Sequence, residues 1–314
     1  MKDRRRLMEK ATLDQDDRPR GLTTVRTSIS ITNYTCEGGT SATAAYLRDI
    51  AHAADESGID TIWVADHLLQ ADPAADHDDP MLEAYTTLGY LAAASARVRL
   101  GAMVTPVTFR PPAVLLKAVT TLDVLSGGRA WLGVGAGYEG EEARDMGLPL
   151  PPLAERFEQL EDTLRLAHQM RTGDDTPFHG HRNTLEHPLN RPQPMARPHL
   201  PIMVGGTGER RTLRLAARFA DACNLFDIPD GGVTVRHKLD VLRRHLRDVD
   251  RPPAEVEVTI STALSPGEDP AGFRDRCTAI AELGIDHVVV ITRGVPWDER
   301  SVATVAAARD ISAG

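Results

Sequence analysis

Along this chain, short and nearly continuous apolar runs alternate with longer segments in which apolar residues recur every three to four positions. The runs at 25–31 (VRTSISI), 59–65 (IDTIWVA), 98–104 (VRLGAMV), 130–135 (AWLGVG), 201–205 (PIMVG), 221–226 (DACNLF), 256–262 (VEVTIST) and 287–292 (HVVVIT) are short and rich in β-branched residues. Such runs predict parallel strands covered on both faces. A helical stripe follows each of them. Ala44, Leu47, Ala51 and Ala54 share one face that ends at Gly58, and Leu115, Ala118, Leu122 and Leu125 share another that ends at Gly127; glycine is the natural stop after such a stripe. Phe157, Leu160, Leu164 and Ala167 continue the pattern. Leu213, Ala216 and Ala220 form a further stripe, as do Leu239, Leu242 and Leu246, and Phe273, Cys277 and Ile280. Segments 81–95 and 301–311 complete the helical set. Eight strand–helix units is the number that closes an α/β (β/α)8 TIM barrel. A doubly wound sheet shares this periodicity; the unit count and chain length favour the barrel.

Two stretches break the alternation. Residues 1–24 carry mixed charge without a period and are expected to form a flexible N-terminal extension, leaving 25–314 as a single domain. Residues 171–200 are rich in Pro, Gly and His and are expected to form an insertion or lid between the fourth helix and the fifth strand. The apolar fraction, 41%, supplies a real core. A formal charge of −9 argues against a nucleic-acid partner. Three cysteines point to a reducing, cytoplasmic setting. No apolar run approaches the ~20 residues of a membrane span, and the basic start MKDRRRLMEK lacks the apolar stretch of a targeting peptide.

In a barrel, chemistry sits at the C-terminal ends of the strands. LSGGR at 125–129 precedes a strand and belongs at the opposite, stabilising end, whereas GVGAGY at 133–138 and GGTGERR at 205–211 follow strands. Gly135, Gly137 and Gly140 satisfy G-x-G-x-x-G, but the proline-bearing stretch that follows does not suit a dinucleotide fold. In GGTGERR, Gly205, Gly206 and Gly208 allow close approach of an anion and Thr207 offers a hydroxyl. A helix starting near Glu209 would aim its free N–H groups at the loop, and Arg210, Arg211 and Arg214 would add charge. A plain turn before an exposed basic helix is the alternative. Asp66-His67 ends the second strand, where a carboxylate beside an imidazole suits general acid–base work; a neutral hydrogen-bonding His fits the spacing equally. ADHDDP (75–80) and HGHRNTLEH (179–187) lack structural zinc spacing, so no metal is expected. Cys36 falls just beyond the first strand and reads as a bystander thiol; Cys223 and Cys277 read as core.

Four segments carry a family resemblance: IDTIWVADHL, LGAMVTPVTFRPPAVLLKAVTTLDVLSGGRAWLGVGAGY, PLAERFEQLEDTL and PIMVGGTGERRTLRLAARFADACNL. Together, from about Val25 to Ile311, the chain resembles the luciferase-like monooxygenase family of (β/α)8 enzymes, and within it the branch that uses the deazaflavin coenzyme F420. The resemblance implies that His67 gives or takes the proton accompanying hydride transfer, with Asp66 orienting it. It implies a non-prolyl cis peptide at Met103–Val104, with Met103, Val104 and Thr105 supporting the cofactor ring. Gly135, Ala136 and Gly137 would pass alongside the cofactor. Gly205, Gly206 and Thr207 would hold phosphate, and Arg210 would meet an acidic cofactor tail. Related sugar-phosphate dehydrogenases carry a Trp shortly after the His; here the sequence reads LLQADP, which argues against the same substrate. The implied function is an F420-dependent oxidoreductase acting on a small organic molecule. The alternatives are a monooxygenase using reduced flavin mononucleotide (FMN) and O2, or a flavin-binding protein without turnover. A homodimer is the expected assembly.

Overall fold

The computed structural model describes residues 25–308 apart from 266 and 286; the expected extension at 1–24 lies outside them. Eight strands carry the fold: β1 (Arg26–Ile31), β2 (Thr61–Val64), β3 (Arg99–Ala102), β4 (Ala130–Gly135), β5 (Ile202–Gly205), β6 (Ala222–Phe226), β7 (Glu257–Ala263) and β8 (His287–Ile291). All pair in parallel, in the order β3-β2-β1-β8-β7-β6-β5-β4, and β3 returns to β4 to close the barrel. A two-residue piece, Thr105–Pro106, pairs with β4 just beyond β3.

Around the barrel lie α1 (Thr43–Ser57), α2 (Ala84–Ala94), α3 (Pro112–Ser126), α4 (Gly140–Asp145), α5 (Leu153–Arg171), α6 (Thr212–Phe219), α7 (Val233–Asp248), α8 (Pro270–Ala281) and α9 (Glu299–Ala306). Among the described residues no helix is long and apolar enough to cross a membrane. The barrel's interior is filled by Trp63, Trp131, Met203, Ala222 and Val289, with Met103 above them. Close packing here requires two glycines: a Cβ on Gly101 would lie 2.6 Å from the Trp63 ring, and one on Gly133 would lie 2.0 Å from the Ala102 carbonyl.

Below this layer, at the N-terminal strand ends, His287 is fully buried. Its Nε2 lies 2.6 Å from Ser28 Oγ, and its Nδ1 bonds Glu257, which also pairs with Arg26 at 2.8 Å. Asp60 and Arg99 extend the same network. His287 and Arg99 hold the Asp60 carboxyl below the usual carboxylate range despite its burial, and His287 and Arg26 do the same for Glu257.

The 171–200 segment is not a lid. Asp123 Oδ2 near the end of α3 accepts the Met195 and Ala196 amides at 2.5 and 3.0 Å, and Asn190 Nδ2 donates to Thr120 at 3.0 Å. Gly128, just before β4, sits against Ala196. A small hairpin, Phe178–His179 with Thr184–Leu185, turns where Asp162 of α5 accepts the amides of residues 181–183. The reason is topological: a helix-to-strand connection in this fold begins and ends at the barrel bottom, and none of these residues lines the cavity described next.

Candidate active site

A cavity of about 620 Å³ opens at the C-terminal ends of the strands. Its floor includes Ser30 of β1, Asn224 of β6 and Ser261 of β7. Asn224 Nδ2 donates to Thr259 Oγ1 at 2.7 Å, and Ser261 Oγ donates to Asn224 Oδ1 at 3.0 Å, which fixes the amide. One wall is the turn after β3, where the Met103–Val104 peptide is cis, as the resemblance implied. Gly135 and Gly205 flank it: a Cβ on Gly205 would lie 2.7 Å from the Val104 side chain, and one on Gly135 2.9 Å. Only glycines leave this wall open. Thr32 and Thr108 also line the cavity, and among the described residues their buried hydroxyls have no hydrogen-bond partner. The rim is built from the loop after β2, the α4 loop with Tyr138, Phe157 of α5, and Arg293 beyond β8.

His67 faces this space. Its Nδ1 lies 2.9 Å from Glu142 Oε2, and Glu142 Oε1 accepts the Leu68 and Leu69 amides at 2.5 and 3.1 Å. Burial opposes ionisation of Glu142, but His67 and the two amides outweigh it and hold the carboxyl below its ordinary range. The Tyr138 ring meets His67 edge-on, 6.0 Å between centroids.

Asp66 does not orient His67, contrary to expectation. Successive side chains of an extended segment point to opposite sides, and Asp66 turns away from the cavity into the wall. There it accepts Thr105 Oγ1 at 2.7 Å and both Arg110 nitrogens, at 2.7 and 3.1 Å. Arg110 also pairs with Glu83 at 2.6 Å and stacks over Tyr85, whose hydroxyl bonds Thr105. Thr105 therefore braces the wall from behind and is fully buried.

Met103, Val104, Gly135, Ala136, Gly137, Gly205 and Gly206 all line the cavity; Thr207 and Arg210 do not. The loop turns once more over Glu209–Arg211 before α6 begins at Thr212, so Thr212 takes the place expected of Thr207. Glu209 is tied outward to Lys238 of α7 at 2.6 Å, which leaves Arg210 in solvent, while Arg211 stacks on Phe157. Cys36 lies outside the lining, with its thiol near Gly39 and Thr43. Cys223 and Cys277 are fully buried, and burial pushes each thiol up to about 12. Among the described residues no group of three or more His, Cys, Asp or Glu side chains could hold a metal ion. Sequence reasoning missed Glu142, Arg110, Thr212 and Arg293. Only Glu142 left a trace, in the acidic run after GVGAGY.

A family model for luciferase-like monooxygenases matches residues 26–284. The chain is 31% identical over 226 residues to an F420-dependent glucose-6-phosphate dehydrogenase of Kineococcus radiotolerans, covering 72% of this chain and 65% of that one. With the enzyme of the same name from Nakamurella multipartita it shares 36% identity over 178 residues, 56% of this chain and 50% of that one. It thus spans between half and two-thirds of these curated relatives' length. Among solved structures, an F420-dependent secondary alcohol dehydrogenase bound to an F420–acetone adduct superposes with a TM-score of 0.75 at 17% identity, covering 91% of this chain and all of that one. The monooxygenase RslO1 of Streptomyces bottropensis gives 0.74 at 18% identity, covering 91% of this chain and 98% of that one. These two likenesses establish the fold.

Proposed function

Since the chain belongs to the luciferase-like monooxygenase family, we propose that it is an oxidoreductase moving a hydride between coenzyme F420 and a small organic substrate. The names of the two curated relatives support the cofactor, and the cavity supports its fit. A planar ring would rest on the Met103–Val104 wall, which Gly135 and Gly205 keep open. The unpartnered hydroxyls of Thr32 and Thr108 would meet its polar edge or the substrate. Its phosphate would lie against Gly205, Gly206 and Thr212. When bound, the deazaflavin supplies or receives the hydride; the protein fixes the ring, excludes water and manages the proton. His67 manages that proton, and Asp66 acts through the wall rather than on the substrate.

The observation that carries this reading is the His67–Glu142 pair at the rim of a mostly apolar cavity that the cis Met103–Val104 wall also lines. The alternative, a monooxygenase using reduced FMN and O2, has the same need for a dry pocket. A homodimer is part of the proposal: Val114 and Leu125 stand exposed on an apolar groove between α2 and α3 that a second copy would cover. Three unpaired thiols suit the cytoplasmic setting.

The test is turnover. Purified protein is given oxidised or reduced F420 with a panel of alcohols, ketones and activated alkenes, and cofactor absorbance is followed. Consumption of F420 in either direction is expected, and His67→Ala should abolish it while cofactor Kd stays within about tenfold, ~1.4 kcal/mol. Oxygen uptake with reduced FMN and no F420 turnover would overturn the proposal.

A further inference from the structure

We infer that Glu142 is a positioning residue that locks His67 in the Nδ1–H tautomer and presents an unprotonated Nε2 to the cavity. The inference rests on the cavity being the active site, but not on which cofactor fills it. Glu142 is 3% exposed, and both of its oxygens are committed as acceptors. Oε1 takes the Leu68 and Leu69 amides and Oε2 faces His67 Nδ1, so an ionised Glu142 has no proton to offer. An imidazole protonated at Nε2 instead would set its Nδ1 lone pair against the carboxylate. Only Nδ1–H satisfies both groups, since each imidazole nitrogen of the neutral ring is either donor or acceptor. Nε2 then has no hydrogen-bond partner among the described residues and looks into the cavity that His67 lines. Among the described residues no other charged side chain bonds the ring. Asp66, next along the chain, is neutralised by Arg110, and Tyr138 meets the imidazole only by its edge. Because Glu142 sits on α4 and the amides belong to the loop after β2, the same carboxylate ties the two rim segments together.

The arrangement makes Glu142→Gln an inverting substitution. The glutamine oxygen keeps the two backbone amides, so its NH2 must face Nδ1. His67 then has to accept there and carry its proton on Nε2. Two-bond 1H–15N NMR of protein labelled with 15N-histidine reads the tautomer directly, with His67 assigned from the signals lost in His67→Asn. The pH is raised until the imidazole is neutral. Wild type is expected to show Nδ1–H, Glu142→Gln to show Nε2–H, and Glu142→Ala a mixture. Nε2–H in the wild type, or Nδ1–H retained in Glu142→Gln, would overturn the inference. The wild-type spectrum decides even if a variant folds poorly, and none of these spectra requires cofactor. With F420 turnover established, Glu142→Gln should lower kcat about 100-fold or more with KM little changed. An unchanged kcat in the inverted variant would overturn the positioning role.

Discussion

Arg110→Met tests whether Asp66 is a buried strut. Asp66 is 1% exposed, and its charge is balanced by two Arg110 hydrogen bonds and one from Thr105. Methionine keeps most of the volume but leaves the carboxylate with a hydroxyl alone. Breaking a fully buried pair by removing one partner costs roughly 3–5 kcal/mol. Arg110 keeps 16% of its side chain exposed and its second partner, Glu83, 41%, so water softens the loss. The expectation is therefore roughly 2–4 kcal/mol, or a fall in Tm of about 4–10 °C for a domain of this size. Circular dichroism melts at fixed scan rate and neutral pH measure it. The decisive comparison is Asp66→Asn combined with Arg110→Met: with no charge left to bury, the double variant should melt above Arg110→Met. A single variant within about 0.5 kcal/mol of wild type, the range of an ordinary surface change, would refute the reasoning. So would a double variant less stable than Arg110→Met.

Two further outcomes follow from other parts of the fold. Asp60 and Glu257 are held below their unfolded values of 3.8 and 4.5, so their contribution is complete above those values and is lost as pH falls through the lowered folded ones. Tm should drop on acidification below about pH 4.5, with a shallower drop in Glu257→Gln; an identical acid limb in that variant would count against the network. For the assembly, sedimentation should show wild type as a dimer and Val114→Glu or Leu125→Glu as monomers; a monomeric wild type would remove the α2–α3 face from the proposal.

Most of the barrel was legible because strands covered on both faces read as short runs rich in apolar and β-branched residues, set apart from the longer helical stripes between them. The run at 130–135 coincides with β4, and Gly58 and Gly127 end α1 and α3 in the left-handed conformation (φ 76° and 73°). Elements lacking a long period were not legible. At six residues, α4 is too short to show a helical stripe, so the residue that holds His67 went unseen. Adjacency misled at Asp66-His67, because neighbours on an extended chain face opposite ways. It misled again in GGTGERR, where the extra turn before α6 carries Thr207 and Arg210 away from the cavity. The supposed lid failed on chain direction alone: aperiodic sequence shows that a loop is long, not which end of the barrel it covers.

The most direct test of the central proposal is a fluorescence-quench titration of wild-type protein and Gly205→Ala with oxidised F420 and with FMN. Wild type should bind F420 with a Kd of about micromolar, and FMN at least about tenfold more weakly. Gly205→Ala, whose methyl would lie 2.7 Å from Val104, should lose F420 binding about tenfold or more. Tight FMN binding with none of F420, or F420 binding untouched by Gly205→Ala, would contradict a deazaflavin seated on this wall.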